Sequence, residues 1–253
     1  MKIADIRLDG KVVLITGGSM GMGQAFCLAC AQAGADVATT ARGSLEETKN
    51  LVKKDTGKDI LTIQGDMLNL ADIKMMVDKT IAHFGKLDVL VNNAGIVHIS
   101  SILDTTAEDY DRVMGVNLKG LYFACQSAAE HMIPRKSGVI INLGSELSHT
   151  GAANYTAYSA TKGGVFILSQ ALAIELGQHN IRVVTLSPGP TMTRMCKPLM
   201  DNPETRELLL NKGVLGRINE PEDVAPTLVL LASDAANMVS GTNWSVDGGC
   251  LAK

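Results

Sequence analysis

The sequence predicts an α/β fold of three layers, a doubly wound sheet of seven parallel strands covered by helices on both faces. Short β-branched runs alternate with longer helical patterns from one end of the chain to the other. The short runs are near-continuously apolar, as strands buried on both faces of a parallel sheet are. A glycine-rich turn also joins the first strand to the first long helix. Strand alternating with helix builds βαβ units with right-handed crossovers.

Strands are expected at 11–16, 36–40, 59–64, 87–91, 138–143, 181–187 and 242–246, with helices near 21–33, 44–55, 70–84, 107–133, 156–178 and 221–232. Ligands of such sheets bind beyond the carboxyl ends of the strands, at the topological switch point. Residues that carry chemistry should therefore follow the strands.

Composition bounds the remaining choices. The 253 residues are 46% hydrophobic, with no linker, low-complexity run or repeat, which favours one domain over 1–253. A net charge of −3 offers no basic footprint for nucleic acid. The stretch Met1-Lys2-Ile3-Ala4-Asp5-Ile6-Arg7 carries charges where a leader peptide needs an apolar run. No run approaches the ~18 apolar residues of a membrane span. A cytoplasmic protein is expected.

Five cysteines, an odd number, do not form a secreted disulfide framework. Cys27 and Cys30 make a CxxC inside the apolar helical pattern of Phe26, Leu28, Ala29 and Ala31, with no second pair to complete a zinc site. They read as small buried helix residues. The five histidines are scattered, so no metal is expected. The Gly144-Ser145-Glu146 turn lacks the closing glycine of a hydrolase elbow.

The first turn, Thr16-Gly17-Gly18-Ser19-Met20-Gly21-Met22-Gly23, has GxxxGxG spacing. Glycines permit close backbone approach, and the helix start supplies N–H groups for a pyrophosphate. Gly17, Ser19, Met20, Gly21 and Met22 are the expected contacts. After the second strand comes Thr40-Ala41-Arg42-Gly43-Ser44, without the acid that would bond a ribose 2′-hydroxyl. Arg42 is either a surface residue or the clamp on a 2′-phosphate, which favours NADP(H) over NAD(H). After the third strand, Asp66 either accepts from an adenine amino group or caps a turn.

In the helix at 156–178, Tyr158 and Lys162 stand four residues apart on one face. A free tyrosine titrates near ~10, so work at neutral pH needs a shift of about 3 units, about 4 kcal/mol. A positive charge about 4 Å away supplies about that much at an effective dielectric near 20. Tyr/Lys pairs at this spacing also occur on solvated faces, and the surrounding residues decide between the readings.

Those residues resemble the short-chain dehydrogenase/reductase family, in its compact single-domain branch, over nearly the whole chain. The resemblance rests on TGxxxGxG at 16–23, Asp66, Asn92-Asn93-Ala94-Gly95, Asn117, Ser145, Tyr158 with Lys162, Pro188-Gly189 with Thr193, and Val246-Asp247-Gly248-Gly249. It implies a Rossmann fold and a dinucleotide cofactor touching Met67, Asn93, Ala94, Gly95, Pro188, Gly189, Thr191 and Thr193 besides the loop. It further implies Tyr158 as proton donor or acceptor, Lys162 as the group that tunes Tyr158 and holds the nicotinamide ribose, and Ser145 as hydrogen-bond donor to the substrate oxygen. Asn117 would help hold a water of a proton relay, and hydride would leave the pro-S face. Small members of the family form homotetramers or homodimers through the two long helices, here near 107–133 and 156–178.

Between Thr193 and Pro221 lie Met195, Leu199, Met200, Leu208, Leu209 and Leu210, which read either as ordinary helix faces or as an adaptable apolar lid near 191–216. Polar candidates for the substrate are His98, Glu146, His149, Asn154 and Tyr155, with Ser148 as a further pocket residue. Glu146 departs from the small or apolar residue expected after the serine. It would bond substrate hydroxyls, repel an acidic substrate, or face a neighbouring subunit. The expected activity is NADP(H)-dependent interconversion of a secondary alcohol and a ketone. A polyol or sugar acid, a hydroxysteroid and a 3-oxoacyl thioester all remain compatible, and a non-catalytic NADP(H)-sensing protein on the same fold is the alternative.

Overall fold

Seven parallel strands form one sheet in the order β3-β2-β1-β4-β5-β6-β7. The computed structural model describes residues 6–253, so Met1 to Asp5 of the charged N-terminal stretch lie outside the described residues. The strands are β1 (Val12–Thr16), β2 (Asp36–Ala41), β3 (Leu61–Gln64), β4 (Val89–Asn92), β5 (Gly138–Leu143), β6 (Ile181–Pro188) and β7 (Asn243–Val246). The helices are α1 (Gly21–Gln32), α2 (Glu46–Thr56), α3 (Leu70–Phe84), α4 (Ala107–Met114), α5 (Leu121–Arg135), α6 (Thr156–Gly177), α7 (Lys197–Asp201), α8 (Pro203–Leu210) and α9 (Pro221–Ala232).

Side-chain alternation along each strand divides the core into two apolar layers. Val13 and Ile15 of β1 face α1 and α9, beside Phe26, Cys30, Val224 and Leu228. Leu14 faces the opposite layer, with Met76 of α3, Met132 of α5 and Val165 of α6. Cys27 and Cys30 are fully buried, and burial pushes the Cys27 thiol up to about 12.

The single helix expected over 107–133 is interrupted. A π-helical turn spans Gly115–Gly120 and separates α4 from α5. Glycines at both of its ends admit the segment after β3. A Cβ on Gly120 would stand 2.4 Å from the Met67 carbonyl oxygen, and one on Gly115 2.6 Å from Leu68. The wider turn displaces Asn117 from regular helical position, as such turns do at functional sites. Two short helices, α7 and α8, also stand in the segment expected only as a lid.

Parallel pairing of β4 with β5 sets Asn92 opposite Asn142. The Asn92 Nδ2 donates to Asn142 Oδ1 at 2.8 Å, and Asn142 Nδ2 donates to Ser169 Oγ at 2.9 Å. Ser169 Oγ in turn donates to the Val165 carbonyl at 2.7 Å. This buried polar ladder ties α6 to the sheet two turns from Lys162. Asn142→Ala should lower stability by about 2–3 kcal/mol, because it leaves buried partners unsatisfied and opens a cavity. Chemical denaturation would read this as a lower midpoint, and an unchanged midpoint would deny the ladder its role.

Candidate active site

Two adjoining cavities open beyond the carboxyl ends of the strands, with Met22, Thr193 and Met195 on the wall of both. The first, of about 330 Å³, lies at the switch point between β1 and β4. Gly17, Ser19, Met20, Gly21 and Met22 form one side of it, while Arg42, Asp66 and Met67 stand at the far end. Asn93, Ala94 and Gly95 complete it.

Close approach explains the glycines. Gly17 has φ +74°, and a Cβ there would lie 2.9 Å from the Ala94 Cα. A Cβ on Gly23 would lie 2.1 Å from the Gly17 carbonyl oxygen. The turn after β1 is clipped to the turn after β4 by Asn93 Nδ2, which donates to the carbonyls of Thr16 and Gly17 at 2.9 and 3.1 Å. The first turn of α1 carries neither a side-chain cap nor an acidic residue, so its dipole favours an anion. Arg42 is exposed on the rim. Asp66 does cap a turn, accepting from the Leu68 N–H at 3.0 Å, and it also lines the cavity. The donor-rich loop, the glycine cradle and the rim cation fit a phosphorylated dinucleotide.

Beside this cleft, α6 presents Tyr158, on the wall of the second cavity, and Lys162. Lys162 Nζ donates to the Leu143 carbonyl at 2.7 Å and lies 5.6 Å from the centre of the Tyr158 ring. Asn117 Oδ1 accepts from the Ile96 N–H at 2.9 Å, while its Nδ2 donates to the Ile96 carbonyl and to Thr161 Oγ1 at 2.8 and 3.3 Å. Asn117 and Lys162 converge on Gly95, where a Cβ would meet Oδ1 at 3.5 Å and Nζ at 4.0 Å.

The electrostatics differ from the expectation drawn from spacing. Burial pushes the Tyr158 phenol above its ordinary value, the Glu146 carboxylate adds to this, and the Ser145 hydroxyl opposes it. Lys162 is pushed down to about 8, because burial disfavours its charge more than Glu146 favours it. Desolvation therefore outweighs the help that a neighbouring cation was expected to give the phenol.

The second cavity, of about 470 Å³, lies over Tyr158. Pro188 at the end of β6 borders it with Gly189, Thr191 and Thr193, and Met195, Leu199, Leu208 and Leu209 supply an apolar wall from the stretch that runs into α7 and α8. Ser145, Glu146, Tyr155 and Lys212 are polar residues on its wall. Gly144 lets Ser145 sit so close to β6, since a Cβ there would stand 2.3 Å from Ser187 Oγ. Glu146, only 7% exposed, turns inward. Its Oε2 accepts from Ser145 Oγ at 2.7 Å and its Oε1 meets Lys212 Nζ at 2.7 Å.

Other candidates stand apart from this cavity. His98 Nε2 lies 3.7 Å from the Asp109 carboxylate. His149 packs against the Phe166 ring at 4.6 Å. Asn154 is exposed in a left-handed turn at φ +67°. Ser148 Oγ accepts from the Ser145 N–H at 3.1 Å and so orients the turn. Lys212 was not anticipated. Its one sequence signal is a cation closing the Met- and Leu-rich stretch.

Comparison with known proteins agrees with this geometry. Residues 17–250 match the family described as enoyl-(acyl carrier protein) reductase. The chain is 34% identical to 2-dehydro-3-deoxy-D-gluconate 5-dehydrogenase of Escherichia coli K12, with 100% of each chain covered. It is 38% identical to a 3-oxoacyl-(acyl-carrier-protein) reductase of Thermotoga maritima, over 97% of this chain and 100% of the other. A gluconate 5-dehydrogenase from Burkholderia cenocepacia, solved with NADP and tartrate, superposes with a TM-score of 0.93 at 30% identity, over 99% of both chains. These matches run over nearly the whole of each chain, and the chain belongs to the short-chain dehydrogenase/reductase family.

Proposed function

We propose that this protein is an NADP(H)-dependent oxidoreductase that interconverts a secondary alcohol and a ketone by hydride transfer. The observation that carries this reading is that Ser145 and Tyr158 share the wall of the second cavity, with Lys162 beneath the Tyr158 ring and Thr193 on the wall of both cavities. The bound dinucleotide supplies the hydride chemistry, and the protein supplies orientation, charge and the proton. In reduction Tyr158 gives its proton to the substrate oxygen as negative charge grows there, and in oxidation it takes that proton back. Ser145 steadies the same oxygen. Lys162, enclosed beneath the ring, holds the ribose end of the cofactor, with Asn117 beside it. Arg42 and the NADP bound by the Burkholderia relative support NADP(H). The non-catalytic alternative has no observation in its favour, because the proton-handling residues are all present and gathered.

The reading extends to the surroundings. The segment 191–216 serves as the substrate lid of one catalytic domain spanning the chain. A homotetramer or homodimer is supported by the apolar Tyr122, Ile167 and Ile174, which stand exposed on α5 and α6. Among the described residues no helix is long and apolar enough to cross a membrane. Unlinked, largely buried cysteines support a reducing, cytoplasmic setting.

Tyr158→Phe should lower kcat by about 100-fold or more while leaving NADPH affinity nearly unchanged, read by steady-state kinetics and fluorescence titration. Retained turnover would assign the proton to another group. Exchanging Ala41→Asp together with Arg42→Ile should move the NADPH/NADH ratio of kcat/KM towards NADH by about tenfold or more, since a clamp becomes a repulsion. An unchanged ratio would remove Arg42 from cofactor choice. In the free protein the raised phenol predicts no phenolate absorbance from Tyr158 below its ordinary value of 10. Wild type and Tyr158→Phe should then titrate alike up to that pH, and divergence near neutrality would contradict the burial argument.

A further inference from the structure

The proton of Ser145 is directed away from the position its reaction role requires. A serine hydroxyl has one proton and two acceptor lone pairs. Here the proton goes to Glu146 Oε2 at 2.7 Å, while Oγ accepts from the Leu147 N–H at 3.1 Å. While its proton is on Glu146, Ser145 donates neither to the neighbouring Tyr158 phenol nor to a substrate carbonyl. Yet a donor at that oxygen is what the transition state demands. Ser145 must turn its proton towards the substrate, and that leaves a buried carboxylate oxygen without its partner, which is costly unless another donor arrives.

The geometry restricts what that donor is. Glu146 lines the substrate cavity rather than the cofactor cleft. It lies one hydrogen bond from Ser145 Oγ, so a replacement donor must sit beside the reacting oxygen. A hydroxyl on the carbon next to the reacting carbonyl meets this requirement, since neighbouring oxygens on adjacent carbons can bridge two groups that are themselves hydrogen-bonded. Lys212, arriving from the lid after α8, holds Oε1 at 2.7 Å. An ammonium carries three donors, so it can hold Glu146 and a further substrate oxygen together.

Building on the oxidoreductase reading above, we propose that Glu146 and Lys212 are the specificity-determining pair of this site, selecting ketones and alcohols that bear a hydroxyl on the carbon adjacent to the reacting one. The substrate hydroxyl replaces Ser145 on Glu146 and releases Ser145 to donate to the carbonyl oxygen. Polyols and sugar acids satisfy this condition. A 3-oxoacyl thioester, with methylene groups beside its ketone, does not. A substrate lacking the hydroxyl leaves Ser145 on Glu146, so it loses the donor rather than the binding cavity.

Matched pairs of ketones test this with the full-length protein and NADPH: 3-hydroxy-2-butanone against 2-butanone, and 2-hydroxycyclohexanone against cyclohexanone. The hydroxylated member should have the higher kcat/KM by about 100-fold, the usual effect of one oxyanion donor. The difference should lie mainly in kcat. Glu146→Leu should bring the ratio close to one, and Glu146→Gln, which keeps an acceptor oxygen, should restore part of it. Lys212→Met alters a side chain that is 35% exposed and spares the core. It should lower kcat/KM for the hydroxylated member about tenfold more than for its partner. Wild-type reduction of both members at similar rates, or a preference unchanged in both Glu146→Leu and Lys212→Met, overturns the assignment while the reductase reading stands. A protein that binds NADPH and reduces no member of either pair removes the oxidoreductase reading, and the inference with it.

Discussion

The register of β4 against β5 is the constraint on which the site depends. It sets Asn92 opposite Asn142, and the ladder continues through Ser169 into α6. The carboxyl end of β4 delivers Asn93, Ala94 and Gly95 to the cofactor cleft, and that of β5 delivers Ser145 and Glu146 to the substrate cavity. Because α6 is bonded to β5 through Ser169, Lys162 finds the Leu143 carbonyl and Tyr158 overlies it. A slip of one residue by either strand would turn its asparagine to the opposite face and break the pair.

Electrostatics at the site centre on Glu146. Its carboxylate raises both Tyr158 and Lys162, opposing desolvation at the lysine and adding to it at the tyrosine. A phenol so held stays protonated at neutral pH, the form needed to give a proton to a carbonyl oxygen. The same carboxylate holds the Ser145 proton and the Lys212 ammonium, so the turn after β5 and the segment after α8 are linked through one side chain.

Much of this was legible in sequence, for reasons that differ by element. Strand positions followed from apolar runs bounded by glycine, and all seven fall within a few residues of expectation. The glycine turn and the Tyr158/Lys162 pair follow from local spacing, whereas Asn93 and Ser145 follow from the resemblance to the family. The break at Gly115–Gly120 escaped, because its cause is contact with Met67 and Leu68, far away in sequence. Glu146 stood out as a departure, but its partner Lys212 lies 66 residues on, where no local pattern points. His98 and Asn154 looked suitable by residue type, yet one is drawn to Asp109 and the other sits exposed in a left-handed turn. Phenol tuning was misjudged, since charge spacing is visible in sequence and desolvation is not.

The central claim is direct hydride transfer onto a carbon whose oxygen rests between Ser145 and Tyr158. The most direct measurement is the fate of deuterium in NADPH labelled at the pro-S position of the nicotinamide, followed by NMR of the alcohol formed. Deuterium on the new carbinol carbon, at a single configuration, is the predicted result. Deuterium lost to solvent, from cofactor labelled on either face, would contradict the account.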